Sequence, residues 1–218
     1  MNHSLIPLFS IPLFKSNIGS LDPITLTWIK RLSYPLQAVG HDGSDNHLPQ
    51  YMQGMKILHK EKLKNLKAQI ERTVDYFVHE LLDVEDHINF EIQASWINKI
   101  EADDKNSKII KHGHAGAIIS GVYYIDTDDT TAPITFEKSY NYNNLFPISI
   151  PITYKNKNTN QYNMREITLH PKSGDLMLFP SQLEHTVPSI NTLKDRYGIA
   201  FNCFPKGNIG YGSEHLLL

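Results

Sequence analysis

The sequence has one cysteine, Cys203, among its 218 residues. A single cysteine excludes an intrachain disulfide, and it leaves any zinc or iron–sulfur site built on cysteine without enough ligands. Metal chemistry in this chain would therefore have to use other side chains.

The sequence also lacks an excess of charge of one sign, because 21 lysines and arginines stand against 23 aspartates and glutamates. The basic residues are scattered, so no electrostatic footprint for nucleic acid or an anionic membrane is present. No stretch approaches the roughly 20 apolar residues of a membrane span. The apolar start is interrupted by Pro7 and Pro12 and has no basic leader. We expect a cytoplasmic protein without a nucleic-acid or membrane partner.

The first 90 residues are predicted to be a mainly helical support region within a single domain, residues 1–218. An extended arm is expected at 5–14, and a helix that Asp22 and Pro23 begin is expected from 23 to about 38. A polar loop follows at 39–54. The strongest helix prediction covers 58–83, where apolar residues recur at spacings of three and four. This helix is expected to pack on a sheet.

The region 91–210 changes to short runs rich in Ile, Val, Tyr, Phe and Thr that are bounded by turn residues. Because helices precede strands, the predicted class is α+β, with an antiparallel sheet closed into a barrel. An insertion at 139–165, rich in Asn and Tyr, is expected to form an exposed loop or hairpin. The predicted strands are 90–101, 117–126, 132–138, 165–171, 175–180 and 196–205.

Two histidines, His112 and His114, lie two residues apart just before a predicted strand. In extended backbone both imidazoles point to the same side, as metal ligands must. For this pair alone a solvated turn is the better interpretation, since His-x-His is a weak motif. His185 follows the apolar strand at 175–180, and Arg196 begins another strand eleven residues later.

This ordered set resembles the Fe(II)/2-oxoglutarate-dependent oxygenases, in which a His-x-(Asp/Glu/His) motif, a distal histidine and a later arginine occur in the same order. The resemblance covers about half of the chain, and it points to an oxygenase family related to the prolyl hydroxylases. The segments that carry it are Trp96-Ile97-Asn98, His112-Gly113-His114, Ser120-Gly121-Val122-Tyr123-Tyr124, the GDLMLFPS run from Gly174 to Ser181, His185, Arg196 and Phe201-Asn202.

The resemblance implies a double-stranded β-helix, a jelly-roll or cupin-like barrel, with the N-terminal helices packed on one sheet. It implies Fe(II) held by three histidines, which leaves coordination positions for the cosubstrate and O₂. It also implies that Arg196 binds 2-oxoglutarate through its guanidinium fork and that the Tyr124 hydroxyl completes the pocket. Tyr123 should then point to the other side of its strand. The implied metal ligands are His112, His114 and His185.

Two positions depart from the family pattern. Most such enzymes have a carboxylate as the second metal ligand, where this chain has His114. Asp126 and Asp128 stay open as substitutes, and so does a halogenase-like motif that starts at His114 and leaves His112 unused. Gly198 stands where many relatives have a hydroxyl that contacts the cosubstrate.

The predicted function is a dioxygenase that hydroxylates a prolyl, peptide or free amino acid substrate and releases succinate and CO₂. No catalytic residue beyond the metal ligands is predicted. Two alternatives stay open: a cupin-type metal enzyme that does not use 2-oxoglutarate, and a non-catalytic β-barrel binding module. Arg196 discriminates between the dioxygenase and the cupin-type enzyme, because a cupin-type enzyme does not need it.

Overall fold

A computed structural model of the chain describes residues 10–32, 56–104, 107–138, 160, 163–188, 192–211 and 214–217. The predicted loop at 39–54 and nearly all of the predicted insertion at 139–165 lie outside these residues. The same is true of the first part of the predicted arm at 5–14 and of the end of the helix predicted from 23.

The helical layer begins with a helix whose start agrees with the sequence prediction. The Asp22 carboxylate accepts hydrogen bonds of 3.0 Å from the backbone N–H groups of Ile24 and Thr25, which otherwise lack helical partners. The long helix predicted at 58–83 is confirmed, although its two ends depart from α geometry. The helical segments are α1 (Pro23–Lys30), two 3₁₀ turns (Ile57–His59 and Glu61–Leu63), α2 (Lys64–Asp75) and a π-helical turn (Tyr76–Leu81).

The strands form two larger antiparallel sheets and a separate hairpin. They are β1 (Phe14–Asn17), β2 (Asn89–Ile100), β3 (Ile109–His112), β4 (Ile119–Asp126), β5 (Ile134–Glu137), β6 (Glu166–Leu169), β7 (Asp175–Pro180), β8 (His185–Val187), β9 (Arg196–Lys206), β10 (Asn208–Tyr211) and β11 (Glu214–Leu217). The major sheet has the order β1-β7-β4-β9-β2, the minor sheet has the order β3-β8-β5-β6, and β10 and β11 form the hairpin.

The major and minor sheets face each other, and their inner side chains form one apolar cluster. Val122, Tyr124, Met177, Phe179 and Ala200 of the major sheet belong to this cluster together with Ile134 and Phe136 of the minor sheet. This arrangement is the double-stranded β-helix expected from the sequence. The prediction of one closed barrel needs correction, since within the described ranges no hydrogen-bonded ladder joins the two sheets along their sides.

The other face of the major sheet is covered by the helices, as predicted. Ile70 and Val74 of α2 and Phe77 of the π-helical turn are buried against Tyr123 and Phe201. Because successive side chains of a strand point to opposite faces, each strand of the major sheet contributes to both layers. Within the described residues, none of the helices is both long and apolar enough to cross a membrane.

Candidate metal centre

The minor sheet carries two of the predicted metal ligands on neighbouring strands. His112 ends β3 and pairs directly with His185, the first residue of β8. Paired residues on antiparallel strands point to the same face, so the two imidazoles lie side by side. The same row continues through Phe136 of β5 to Ile167 of β6. Both histidines thus face the interior between the sheets.

His114 joins this pair from the turn that follows β3. Its backbone N–H donates a 2.7 Å hydrogen bond to the carbonyl oxygen of Ser181. Gly113 permits this approach, because a Cβ atom at that position would lie only 3.3 Å from the same oxygen. The ring centroids of the three histidines are 4.4 to 5.2 Å apart, and one ligand atom from each can be chosen so that all lie within 4.8 Å.

The protonation state of the cluster suits a metal ion. Burial, together with the smaller effect of neighbouring histidines, lowers the pKa of His114 to about 3 and the pKa of His185 to about 4. These two imidazoles are therefore neutral at neutral pH, as a ligand must be.

The hydrogen bonds of the histidine rings also determine which nitrogen is free. His112 Nδ1 lies 2.9 Å from the carbonyl oxygen of Ile110, and His185 Nδ1 lies 3.0 Å from that of Leu183. A carbonyl only accepts, so each Nδ1 carries the proton and each Nε2 keeps its lone pair for a metal.

The acids considered as substitutes for His114 are engaged elsewhere. The Asp126 carboxylate pairs with Lys30 at 2.5 Å and with Lys194 at 2.6 Å. Asp128 lies 3.4 Å from Lys194. In the described part of the chain no carboxylate joins the three histidines, so the cluster offers a metal three imidazoles and no negative charge. The halogenase-like motif fits poorly, because His112 belongs to the cluster.

Arg196 is the first residue of β9 on the facing sheet, and its side chain is only 3% exposed. Its guanidinium carbon lies 5.0 Å from the centroid of the Tyr124 ring, and its Nε atom is buried without a hydrogen-bond partner. Among the described residues no carboxylate forms an ion pair with it. A buried cation without a counter-charge is costly, so this guanidinium fits an anionic ligand.

Tyr124 lies beside this arginine in an enclosed position. Burial raises the pKa of its hydroxyl, and the positive charge of Arg196 opposes that change only in part. The phenol therefore remains a neutral donor. Its hydroxyl lies 3.8 Å from the sulfur of Met177, a weak acceptor that leaves the O–H proton available to a better one.

Two site residues had no role assigned from the sequence. Asn98 of β2 pairs with Gly198 of β9, and Gly198 also pairs with Tyr124, so the Asn98 amide lies on the same face as the phenol with a glycine between them. Trp96 precedes it on this face, with its ring 5.6 Å from His114. The alternation in Trp96-Ile97-Asn98 is the signal that could have identified both.

Comparisons with known proteins agree with this geometry. The model of a protein family described as "Putative 2OG-Fe(II) oxygenase" matches residues 94–202, half of the chain. The match includes every residue of the three-histidine cluster and Arg196. No protein among the curated ones matches the sequence.

Several solved structures are similar to this chain. The non-haem monooxygenase ThoJ, in its nickel complex, aligns over 95% of this chain and 80% of its own length, with a TM-score of 0.55 and 12% identity. An oxidoreductase of the 2OG-Fe(II) oxygenase family from Burkholderia pseudomallei aligns over 68% of this chain, with a TM-score of 0.41 and 12% identity. A prolyl-4-hydroxylase from Pseudomonas putida aligns over 66%, with a TM-score of 0.40 and 12% identity.

The last two similarities are too weak to support an argument about function. The chain spans 54% of the Burkholderia protein and 63% of the Pseudomonas protein, which is less than two thirds of either.

Proposed function

The chain belongs to this family of 2OG-Fe(II) oxygenases, and from that premise we propose that it is a dioxygenase that hydroxylates an uncharged group of its substrate. Fe(II) and 2-oxoglutarate are the cofactors of the family. The observation that carries the proposal is a pair of complementary sites on facing sheets. His112 and His185 of the minor sheet meet His114 of the turn after β3, and on the facing sheet lies a buried arginine that pairs with no carboxylate in the part of the chain that the structure describes.

We assign the iron ligands to His112, His114 and His185. His112 and His185 would each use Nε2, because their Nδ1 protons are held by backbone carbonyls. These hydrogen bonds fix the ring orientations before any metal binds. Three ligands on one side leave coordination positions for other groups. When bound, Fe(II) and 2-oxoglutarate would supply the oxidising chemistry, in which one atom of O₂ enters the substrate and the other enters succinate as CO₂ is lost.

We assign the far carboxylate of 2-oxoglutarate to Arg196. The guanidinium can donate two parallel hydrogen bonds to a carboxylate, and its Nε–H has no competing partner among the described residues. The Tyr124 hydroxyl supplies a neutral donor on the same face. Gly198 leaves room between this phenol and the Asn98 amide, which would supply a third donor. Together these residues orient a dicarboxylate and exclude water from its charged end.

The inner faces of the strands favour a substrate whose reactive part carries no charge. Of the charged residues that the strand registers place on these faces, Lys15 pairs with Asp175 at 2.9 Å, Lys206 pairs with Glu91 at 3.0 Å, and Arg196 is assigned to the cosubstrate. Near the histidines lie two aromatic rings, that of Trp96 at 5.6 Å from the His114 ring and that of Phe136 at 5.9 Å from the His185 ring. A free amino acid would bring an ammonium and a carboxylate that need counter-charges, so a neutral segment of a peptide fits these surroundings better.

The function is tested by succinate formation from 2-oxoglutarate with anaerobically loaded Fe(II), before and after O₂ is admitted. Peptides and free amino acids are added as separate panels, and a product heavier by one oxygen atom identifies the substrate. We expect Arg196→Ala to weaken 2-oxoglutarate binding by several hundred-fold, because removal of one member of a desolvated ion pair costs about 3–5 kcal/mol. Calorimetry with Mn(II)-loaded protein measures this affinity without turnover.

Two variants sharpen the test. Arg196→Lys keeps the charge but not the bidentate fork, so it should recover only part of the affinity. Arg72→Ala removes an exposed arginine of α2 and should leave the affinity at the level of the parent. A parent protein that binds the metal but not 2-oxoglutarate would contradict the dioxygenase and favour the cupin-type enzyme.

A further inference from the structure

One turn, at residues 180–183, contacts two of the three histidines through its backbone. The carbonyl oxygen of Ser181 accepts the 2.7 Å hydrogen bond from the His114 N–H. The carbonyl oxygen of Leu183, two residues later, accepts the hydrogen bond from His185 Nδ1 at 3.0 Å. The position of His114 and the ring orientation of His185 therefore depend on the same short segment.

Buried hydroxyl groups hold the turn 180–183 in place. Ser120 of β4 and Ser181 are each 1% exposed, and their Oγ atoms lie 2.9 Å apart. Ser120 Oγ also lies 2.8 Å from the side-chain oxygen of Asn202 on β9. Because that amide oxygen only accepts, all three groups are satisfied when Ser181 donates to Ser120 and Ser120 donates to Asn202.

These hydroxyls connect the two sheets of the site. Ser120 and Asn202 belong to the central strands of the major sheet, whereas the turn leads from β7 of that sheet into β8 of the minor sheet. The Ser181 N–H adds a 2.9 Å hydrogen bond to the carbonyl oxygen of Ile118. Without its hydroxyl contact, Ser181 keeps only its two backbone hydrogen bonds, to Ile118 and from His114, so its carbonyl oxygen can move and take the His114 N–H with it.

We infer that the buried Ser120–Ser181 hydroxyl pair is a positioning device that aligns His114 and His185 for metal binding by fixing the turn 180–183. The inference rests on the proposed function, because it takes these histidines as metal ligands. Neither serine touches the metal, the cosubstrate or the substrate. Each acts through the two backbone carbonyls of the turn, as outer-shell groups do in other metal sites.

The test measures the binding of Co(II) alone to the metal-free full chain, by calorimetry and by the visible absorption of the bound ion. The absorption reports ligand geometry, which a merely structural role for the serines would not change. The variants are Ser120→Ala, Ser181→Ala and the double variant. Outer-shell substitutions typically cost about 10- to 100-fold in metal affinity, and we expect the lower end for each single variant because the effect passes through backbone.

Ser95→Ala is the matched control. Ser95 is also a fully buried serine of the major sheet, but its hydroxyl accepts a 3.0 Å hydrogen bond from the Leu58 N–H on the side of the helices. The control variant loses a buried hydrogen bond of the same kind and should lose comparable stability. Its Co(II) affinity and spectrum should match those of the parent.

Two further results decide the inference. Since the two hydroxyls act as a unit, the double variant should bind Co(II) little more weakly than the single ones. Single serine variants that bind Co(II) like Ser95→Ala, with an unchanged spectrum, would overturn the inference while leaving the proposed function intact. A parent that fails to bind Co(II) would overturn both. Should Ser181→Ala fail to fold, Ser120→Ala alone decides, because it leaves the turn sequence unchanged.

Discussion

Tyr123 and Tyr124 are neighbours in the chain, but their side chains enter different environments. Tyr123 is packed against the helices, and its hydroxyl donates a 2.8 Å hydrogen bond to the carbonyl oxygen of Gly19. Tyr124 lies between the sheets beside Arg196. The period-two alternation predicted for this strand is thus observed, without a bulge between the two residues. Their roles in ligand binding remain to be tested by substitution.

Removal of the Tyr124 hydroxyl should weaken 2-oxoglutarate binding, whereas removal of the Tyr123 hydroxyl should lower the free energy of unfolding. We expect Tyr124→Phe to weaken 2-oxoglutarate binding by roughly ten-fold or more, because a hydrogen bond to a charged group contributes about 1.5–3 kcal/mol. Its stability should change little, since the hydroxyl donates only to a sulfur at 3.8 Å and its other polar neighbour, Arg196, is itself a donor. Tyr123→Phe should keep the affinity and lose about 1 kcal/mol of unfolding free energy. Calorimetry and urea unfolding measure the two quantities, and the reverse pattern would contradict the assignment.

Two glycines on adjacent central strands, Gly121 of β4 and Gly198 of β9, have different structural roles. A Cβ atom at Gly121 of β4 would lie 2.3 Å from the Phe201 ring and 2.8 Å from Leu178, both fully buried. A Cβ atom at Gly198 of β9 would meet only Val122 at 3.3 Å and the Tyr123 carbonyl oxygen at 3.5 Å. The first glycine permits the sheet to pack against the helices, and the second keeps space open between the sheets.

The same substitution should therefore separate folding from ligand binding. Gly121→Ala should lower the free energy of unfolding by about 1–3 kcal/mol or more, because the apolar layer is overpacked. Gly198→Ala should cost less stability but reduce 2-oxoglutarate affinity, since its methyl group enters the space between Tyr124 and Asn98. Denaturant unfolding and calorimetry on both variants check the contrast. Equal stability losses with unchanged affinity would show that Gly198 is only a packing position.

The sequence predicts most of the elements but not β3 and β8. The repeat of apolar residues identifies α2, and the runs rich in Ile, Val, Tyr, Phe and Thr identify β2, β4, β5, β6, β7 and β9. The strands β3 and β8 have four and three residues and lie outside those runs, yet they carry His112 and His185. Their pairing is a long-range contact that no local pattern encodes, and the same holds for the division into two sheets.

Some of the site residues can be predicted from the sequence, whereas others depend on how the strands pair. The order of His112, His114, His185 and Arg196 along the chain is enough to bring them to attention without a structure. Asn98 and the Ser120–Ser181 pair depend on strand register, and the register of β2 against β9 shifts between Ile92 and Ala94. Alternation can place Trp96 and Asn98 on one face of β2, but only the register of the neighbouring strands determines which side chains lie beside them.

For the molecule as a whole, the buried histidines make stability depend on pH. Both His114 and His185 would titrate near 6.5 in the unfolded chain, whereas burial lowers their pKa values to about 3 and about 4 in the fold. Between those values and 6.5 the unfolded state binds more protons. The free energy of unfolding therefore decreases as the pH falls through this window.

When the pH is lowered from 7 to 5, each of these histidines should reduce the free energy of unfolding of the metal-free protein by roughly 1–2 kcal/mol. Urea unfolding at the two pH values measures the loss, and His185→Gln should reduce it. Ser95→Ala should shift both unfolding curves by the same amount, because it removes no titratable group. A loss that is the same in the parent and in His185→Gln would mean that this imidazole does not stay neutral in the fold.

The edge position of β3 has a consequence for chain topology. β3 is short, irregular in register and paired on one side only, with β8. A metal held by His112 and His185 would tie together two points about 70 residues apart along the chain, and a cross-link of that span removes on the order of 4 kcal/mol of loop-closure entropy from the unfolded ensemble. The ion would then act as a reversible cross-link that stabilises the fold, in addition to its part in the reaction. Its departure would first loosen β3, while the five-stranded sheet and its helices stayed closed around their own core.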